Sequence, residues 1–390
     1  MDYTSQPLVF KARKALRYVG LYGPRRTRAK VESHYHMKRR YPVLPSTPTS
    51  SSENKHVAIL GCGKYAFAQI AYYLRKNFGD VIYGAMDIDI ERAASLFERY
   101  ALVMYTDDAD ALIGDPAVDT VFIASNHASH AEYAIAAIKA GKTTHIEKPH
   151  VVDDDQLRRL CRAMDESAGR VALGFNRPLS RIGREIARRV AAEDGPSMQN
   201  WFVAGHEIPA DHWYFREEEG GRILGNLCHW TDFVLRLVPE EHRYPIEINP
   251  TRAEKADSDI AVTYTFGDGS IAAITFSAKG HTFEGVKERF AAHRGNTLIT
   301  MDDFKTLDVQ VVERRTRIHL RHRDHGHDEL IRSSYLLGRD QAPGASTAYV
   351  WETGELFLKT REALERAERL VLRPFDPRVL VPTASSAGTE

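Results

Sequence analysis

His56-Val57-Ala58-Ile59-Leu60-Gly61-Cys62-Gly63-Lys64-Tyr65-Ala66 is the stretch on which the fold turns. Its first five residues form a short apolar run, read as a buried parallel strand. The loop Gly61-x-Gly63-x-x-Ala66 then opens a helical stretch that reaches about Asn77. The first glycine permits a tight turn, and the second lets the backbone approach a pyrophosphate. A small third residue allows close helix–strand packing, and the helix N-terminus presents free N–H groups to phosphates. Alone, such a loop is a weak signal, because glycine turns are common. Here the context is present: a strand before, a helix after, and an acid, Asp87, at the end of the next strand, 81–86. A carboxylate there accepts hydrogen bonds from a ribose hydroxyl and repels a 2′-phosphate, which favours NAD over NADP. The competing reading of Asp87 is an acid that ends a strand in a turn.

The rhythm continues outward from that loop. A helix is predicted at about 90–100, a strand at 120–125, a helix at 128–140 closed by Gly141, a strand at 143–146, a helix at 153–168 and a strand at 170–175. Such alternation is the signature of a doubly wound parallel sheet. After about residue 176 the pattern changes. Helices are predicted at 179–192, 227–238 and 346–370, with strand-like segments at 198–205, 258–266 and 270–278. Phe266-Gly267-Asp268-Gly269 reads as the hairpin turn between the last two. The expected fold class is therefore α/β: an N-terminal doubly wound domain and a C-terminal α+β domain with a large, mostly antiparallel open sheet. The chain divides into a basic arm (1–41), a Pro/Ser/Thr-rich linker (42–55), a dinucleotide-binding domain (56–176), a substrate and oligomerisation domain (177–375) and a flexible tail (376–390).

Composition bounds the partners. Of 53 basic and 53 acidic residues, 12 and 3 respectively fall in residues 1–55, so a basic arm precedes a mildly acidic body. An acidic body argues against nucleic acid as the main partner. The arm reads as a solvated or oligomer-contacting segment, as an attachment to an anionic membrane surface, or as a transit peptide. No run approaches the roughly 18–20 apolar residues of a membrane helix. Cys62, Cys161 and Cys228 form no CxxC pair, which argues against a disulfide scaffold or structural zinc and fits a reducing, cytoplasmic setting, with a bacterial source expected. The His-rich stretch 321–328 fits no standard ligand set, so no metal is expected, and it reads as a solvated loop before the final helix.

Glu147-Lys148-Pro149 ends a parallel strand, where open α/β sheets place their ligands. Pro149 restrains Lys148. A lysine beside a nicotinamide can hold a substrate hydroxyl and help relay its proton, with Glu147 tuning its charge. A surface ion pair is the alternative.

At about residues 55–375 the chain resembles the glucose–fructose oxidoreductase/inositol dehydrogenase (Gfo/Idh/MocA) family. The resemblance rests on the glycine loop and on Asp87-Ile88-Asp89-Ile90-Glu91-Arg92-Ala93. It continues in Ile123-Ala124-Ser125-Asn126-His127 leading to His130-Ala131-Glu132, in Glu147-Lys148-Pro149 and in Gly174-Phe175-Asn176-Arg177. It implies that Lys148 is catalytic and contacts nicotinamide and substrate. It places Gly61, Gly63, Lys64, Tyr65, Ala66, Asp87, Ser125, Asn126, His130, Glu147 and Lys148 at the cofactor. The stretch 220–232 resembles the family's glycine-led helix with an inward histidine, here His229, followed three residues later by Asp232. His229 is the candidate general base, and Asp232, on the same helix face by spacing, its orienting group. One departure stands out. Many members carry an acid four residues before that histidine, where this chain has Gly225 followed by Asn226. Substrate contacts are expected from Asn176, Arg177, Trp213, Tyr214, Arg222 and Asn226.

The resemblance implies an NAD-dependent dehydrogenase acting on a secondary hydroxyl of a sugar. A nucleotide-linked sugar is favoured by the arginines near the pocket, by Asn226 in place of an acid and by the basic arm. A cyclitol dehydrogenase, a member using tightly bound NAD without net redox, and a non-catalytic NAD-binding regulator are the alternatives. A homodimer or homotetramer is implied.

Overall fold

A computed structural model describes residues 3–46, 53–251, 259–278 and 283–381. Two helices come first, α1 (Leu8–Tyr22) and α2 (Pro24–His36). Between them Gly23 has φ +81°, a conformation glycine adopts without steric cost, and Pro24 starts α2 where its missing N–H is not needed.

The first domain is a six-stranded parallel sheet of β1 (Val57–Leu60), β2 (Ile82–Met86), β3 (Met104–Thr106), β4 (Thr120–Ile123), β5 (Thr143–Ile146) and β6 (Val171–Leu173). Its order is β3-β2-β1-β4-β5-β6, so the winding reverses between β1 and β4. Every residue of β1 and β4 is buried, as expected for strands covered by helices on both faces. The covering helices are α3 (Ala71–Phe78), entered through a π-helical turn Ala66–Ile70, then α4 (Ile90–Tyr100), the single turn α5 (Asp110–Ile113), α6 (His127–Lys139) and α7 (Asp154–Glu166). The reversal opens a crevice at the carboxyl ends of β1, β4 and β5, where ligands bind in such sheets.

The second domain begins with α8 (Arg181–Ala191), β7 (Ser197–Ala204) and α9 (Cys228–Arg236). Its strands continue as β8 (Ile246–Thr251), β9 (Asp259–Thr265), β10 (Ile271–Ser277), β11 (Lys287–Arg294), β12 (Thr297–Asp302), β13 (Thr306–Val311) and β14 (Arg314–His319). Helices α10 (His327–Leu337) and α11 (Thr347–Arg366) and the edge strand β15 (Leu370–Leu372) follow. The nine-stranded sheet has order β14-β13-β12-β11-β7-β10-β9-β8-β15, antiparallel except where β7 and β10 pair in parallel. Alternation along β7 buries Trp201 and Val203 and leaves Met198 and Phe202 exposed. The buried face packs under α9, where Trp201 meets Phe233 edge-on at 5.0 Å.

Four expectations change. The N-terminal arm is a docked helical hairpin. Arg26 donates to the carbonyl of Ala68, which the π-turn leaves accessible. At the other domain, Arg323 N–H bonds to Leu21 O (2.8 Å) and Phe10 meets Phe283 edge-on at 5.7 Å. The hairpin thus touches both domains. The His-rich stretch is no solvated loop: Arg323 is buried against Asp303, and His327 begins α10, which packs Ile331 and Tyr335 beside α3. The tail expected from 376 is ordered at first. Leu380 is buried and its carbonyl accepts from Arg162 Nε (2.8 Å), while 382–390 lie outside the described residues. Likewise Tyr41 and Pro45 are bonded to Glu91 and Tyr105, and only 47–52 of the linker lie outside the description.

Candidate active site

The glycine loop is built for a close approach. At Gly61 (φ +89°) a Cβ would lie 2.4 Å from Ser125 N, so the loops after β1 and β4 touch there and only glycine fits. At Gly63 a Cβ would meet nothing within 4 Å, so the second glycine borders open space at the start of the helix. Ala66 is buried and Lys64 exposed. Asp87 is buried at the end of β2. Its Oδ2 accepts from Cys62 N–H (2.7 Å), its Oδ1 from Asp89 N–H (2.9 Å), and Arg92 Nη1 stands 3.8 Å from Oδ1. Asp87 therefore shapes the glycine loop from the end of β2. The Cys62 thiol is buried and donates to Met86 O (3.3 Å), and burial pushes its pKa up, so it is inert filler. Open space at Gly63 and N–H groups at the helix start fit a diphosphate.

Sequence reasoning missed the hairpin's part in this loop. His36 sets one ring nitrogen 2.6 Å from Cys62 O and the other 2.8 Å from Ser95 Oγ, and its ring stacks on Phe67. Arg40, just beyond α2, pairs with Glu91 (3.1 Å). No motif signals this, because the partners are 26 and 59 residues away.

Lys148 follows β5 and extends across the crevice. Its Nζ donates to Gly225 O (2.7 Å) in the π-helical turn Ile223–Leu227 that leads into α9. Burial pulls the pKa of Lys148 down, but Tyr214, Cys228 and Glu147 outweigh it and the net direction is upward, so the ammonium persists. Glu147 faces Tyr65, whose hydroxyl bonds to it, and His145 Nε2 at 3.2 Å. This carboxylate thus ties the glycine loop to β5 and does not form a surface ion pair.

His229 sits at the first turn of α9, edge-on to Phe175 and Trp230, and makes no hydrogen bond with a described residue. Burial, then Arg177 and Lys148, push its pKa well down, so the ring is a neutral base at ordinary pH. Asp232 does not orient it. The Asp232 carboxylate turns to α11 and takes Tyr349 OH, Thr353 Oγ1 (3.4 Å) and Arg236 Nε (2.9 Å). A three-residue step puts two side chains on one broad face, but here Arg236, a further turn along, draws the acid aside.

Two expected substrate arginines are committed elsewhere. Arg177 is buried against Glu288 and stacks over Trp230, whose Nε1 also donates to Glu288 (2.8 Å). Arg222 is buried, donates to His206 O (2.8 Å) and lies over Phe276. Asn176 is buried and donates to His325 O (2.6 Å). Asn226 is half-buried on the π-turn, and its amide bonds to no described residue. His130 spends both ring nitrogens on Pro149 O (2.7 Å) and Ser125 O (3.2 Å), so it braces the two loops.

The residues that replace the missing acid are steric. A Cβ at Gly225 would lie 2.7 Å from His127 Cε1 and 2.8 Å from Tyr214 Cε2. Tyr214, Trp213 and His127 meet edge-on or tilted at 4.5–4.8 Å between ring centres, and Tyr214 and His127 fill the space where that side chain would project. Beneath them Glu219, 1% exposed, reaches from the second domain to the start of α6. It accepts from Asn126 Nδ2 (2.7 Å), His127 N–H (2.8 Å) and Ala128 N–H (3.3 Å). A buried acid at a helix start is favourable, and here it locks the two domains together. Ser125 Oγ bonds Ser129 Oγ (2.7 Å) at the same corner.

A parallel nucleotide-binding sheet, a crevice lysine and an open-sheet second domain define a two-domain dinucleotide-binding protein. The family described as "Oxidoreductase family, NAD-binding Rossmann fold" (GFO_IDH_MocA) matches residues 55–175, the whole of the first domain's sheet. Among similar proteins, the 1,5-anhydro-D-fructose reductase of Ensifer adhaerens is 30% identical over 203 residues, 47% of this chain and 57% of that protein. The inositol 2-dehydrogenase of Pseudomonas syringae pv. syringae is 34% identical over 204 residues, 51% of this chain and 59% of that protein. The chain spans about half the length of the curated relatives it matches. Levoglucosan dehydrogenase in complex with NADH and levoglucosan superposes with TM-score 0.70 at 17% identity, over 82% of this chain and 99% of that one, a likeness of fold.

Proposed function

We propose that this protein is an NAD-dependent dehydrogenase that oxidises a secondary hydroxyl of a sugar, with a nucleotide-linked sugar as the first candidate. The observation that carries the reading is that the Lys148 ammonium, at the end of β5, reaches the π-turn leading into α9, on whose first turn His229 stands with no hydrogen-bond partner among the described residues. Bound NAD supplies the hydride acceptor. Lys148 leaves Gly225 O to donate to the substrate oxygen, and His229 accepts the hydroxyl proton as the carbon is oxidised. Trp213 and Tyr214 offer ring faces to the sugar. Asn226 is free to bond a hydroxyl. The commitment of Arg177 and Arg222 to other partners leaves the nucleotide-linked choice resting on Asn226 and the basic arm. The test is to screen sugars, cyclitols and sugar nucleotides for NADH formation with the purified protein. A panel in which none reduces NAD⁺ sinks the reading. Co-purified NAD with turnover but no net NADH would favour the non-redox alternative.

A cyclitol substrate is the second reading, favoured by the inositol 2-dehydrogenase relatives. An inositol that outcompetes every sugar in kcat/KM would establish it.

A further inference from the structure

The outward face of α1 is apolar. Leu8, Val9, Leu16 and Val19 are exposed by 82, 67, 73 and 37%, and Ala12 and Gly20 are exposed beside them. At about 100° per residue these six fall within an arc of about 120°. Arg13 and Arg17 border that arc on one side and Lys11 on the other. The opposite face is anchored: Leu21 is buried, Phe10 meets Phe283, and Lys14 lies over Phe10, Tyr18 and Phe283. The apolar arc is therefore held rigidly towards solvent.

Charge selects the occupant. Helix α1 carries four basic residues and no acid, with Arg17 paired to Glu284 and Arg13 exposed, and α2 adds exposed Arg25, while Arg26 is buried, Arg28 pairs with Glu32 and Lys30 lies over Tyr18 and Tyr22. A second copy meeting this face about a two-fold axis would set like-charged borders against each other. Anionic headgroups would neutralise both borders while the aliphatic centre enters the headgroup–acyl boundary. The body is mildly acidic, so the rest of the surface is repelled and the hairpin becomes the preferred side of approach.

We infer that the outward face of α1, with Leu8, Val9, Leu16 and Val19 along it and Arg13 and Lys11 at its borders, docks the protein on anionic membrane surfaces.

The test is co-sedimentation of the full chain with vesicles of phosphatidylcholine alone or of phosphatidylcholine and phosphatidylglycerol in equal parts. The protein should pellet with the anionic vesicles, should stay in solution with the neutral ones, and should be released by high salt. Leu16→Glu and Arg13→Glu should each weaken binding by roughly tenfold or more, with thermal unfolding unchanged. Neither residue touches the crevice, so failure of this inference is separable from failure of the proposed activity. No pelleting with anionic vesicles, or equal pelleting of both variants, overturns it. So does lipid-free self-association abolished by Leu16→Glu, which would assign the face to a second copy.

Discussion

Lys148 Nζ donates to the carbonyl oxygen of Gly225 across 2.7 Å, joining the end of a strand in one domain to a π-turn in the other. A wide turn exposes a carbonyl that an α-helix would keep for itself, and it parks the ammonium where a substrate oxygen can replace it. Lys148→Met should lower kcat by about a hundredfold or more, the scale of a lost charged donor to the reacting oxygen. NAD affinity, followed by quenching of protein fluorescence, should change little. A variant that keeps kcat removes Lys148 from the chemistry.

Gly225→Asp will not give this site a working acid. Its side chain would run into Tyr214 and His127, and overpacking of this kind costs typically 1–3 kcal/mol. Denaturant unfolding should show the loss, and adding Tyr214→Ala should recover most of it. An additive double mutant would mean that the two residues do not compete for the same space.

Asp87→Ala removes the acceptor for Cys62 N–H and the charge that opposes a 2′-phosphate, while leaving Arg92 in place. The Kd for NAD should rise, and the preference for NAD over NADP should fall by about tenfold or more. An unchanged preference would assign selectivity to another residue.

Glu219→Ala should leave the first N–H groups of α6 uncapped and buried. The expected cost is about 2–4 kcal/mol, read as a lower urea midpoint, with weakened cooperativity between the domains. A cost below about 1 kcal/mol would mean that water replaces the carboxylate.

His150 is fully buried, with Nε2 3.0 Å from Val350 O, and burial brings its pKa down to about 3. The unfolded chain binds this proton near pH 6.5 and the folded chain does not until far lower. Stability present above that value is therefore lost as pH falls, by about 1.4 kcal/mol per pH unit from this group. His127 and His229 are shifted in the same direction and add to the trend. Urea midpoints should decline from about pH 7 to about pH 5, and His150→Gln should flatten the slope. A flat wild-type profile would contradict it.

Much of this was legible from spacing. Periodicity placed β1, β2, β4, β5 and β6 and helices α3, α4, α6 and α7 to within a few residues, because each was specified by its own apolar pattern and by local turn chemistry. The Phe266-Gly267-Asp268-Gly269 turn and the crevice position of Lys148 were read in the same way. Strands β3, β8 and β11 to β15, and helices α5 and α10, were not read. Residues such as Arg314, Arg315 and Arg317 lie exposed on an edge strand, where charge suits the sheet but hides the strand pattern. The hairpin was hidden for a related reason: its cationic residues stack on tyrosines, so its buried side does not read as apolar.

Local sequence alone settled the nucleotide-binding fold, the glycine loop with Asp87, and the strand-end position of Lys148. Those features depend on a few adjacent residues and on a period of two or of 3.6. Tertiary structure decided which side chains are free to act. It turned Asp232 away from His229, bound Arg177 to Glu288, set Tyr214 against Gly225 and brought His36 to Cys62. Each of those outcomes is a contact between residues that chain spacing does not relate, made where packing leaves one polar partner within reach and excludes water from the rest.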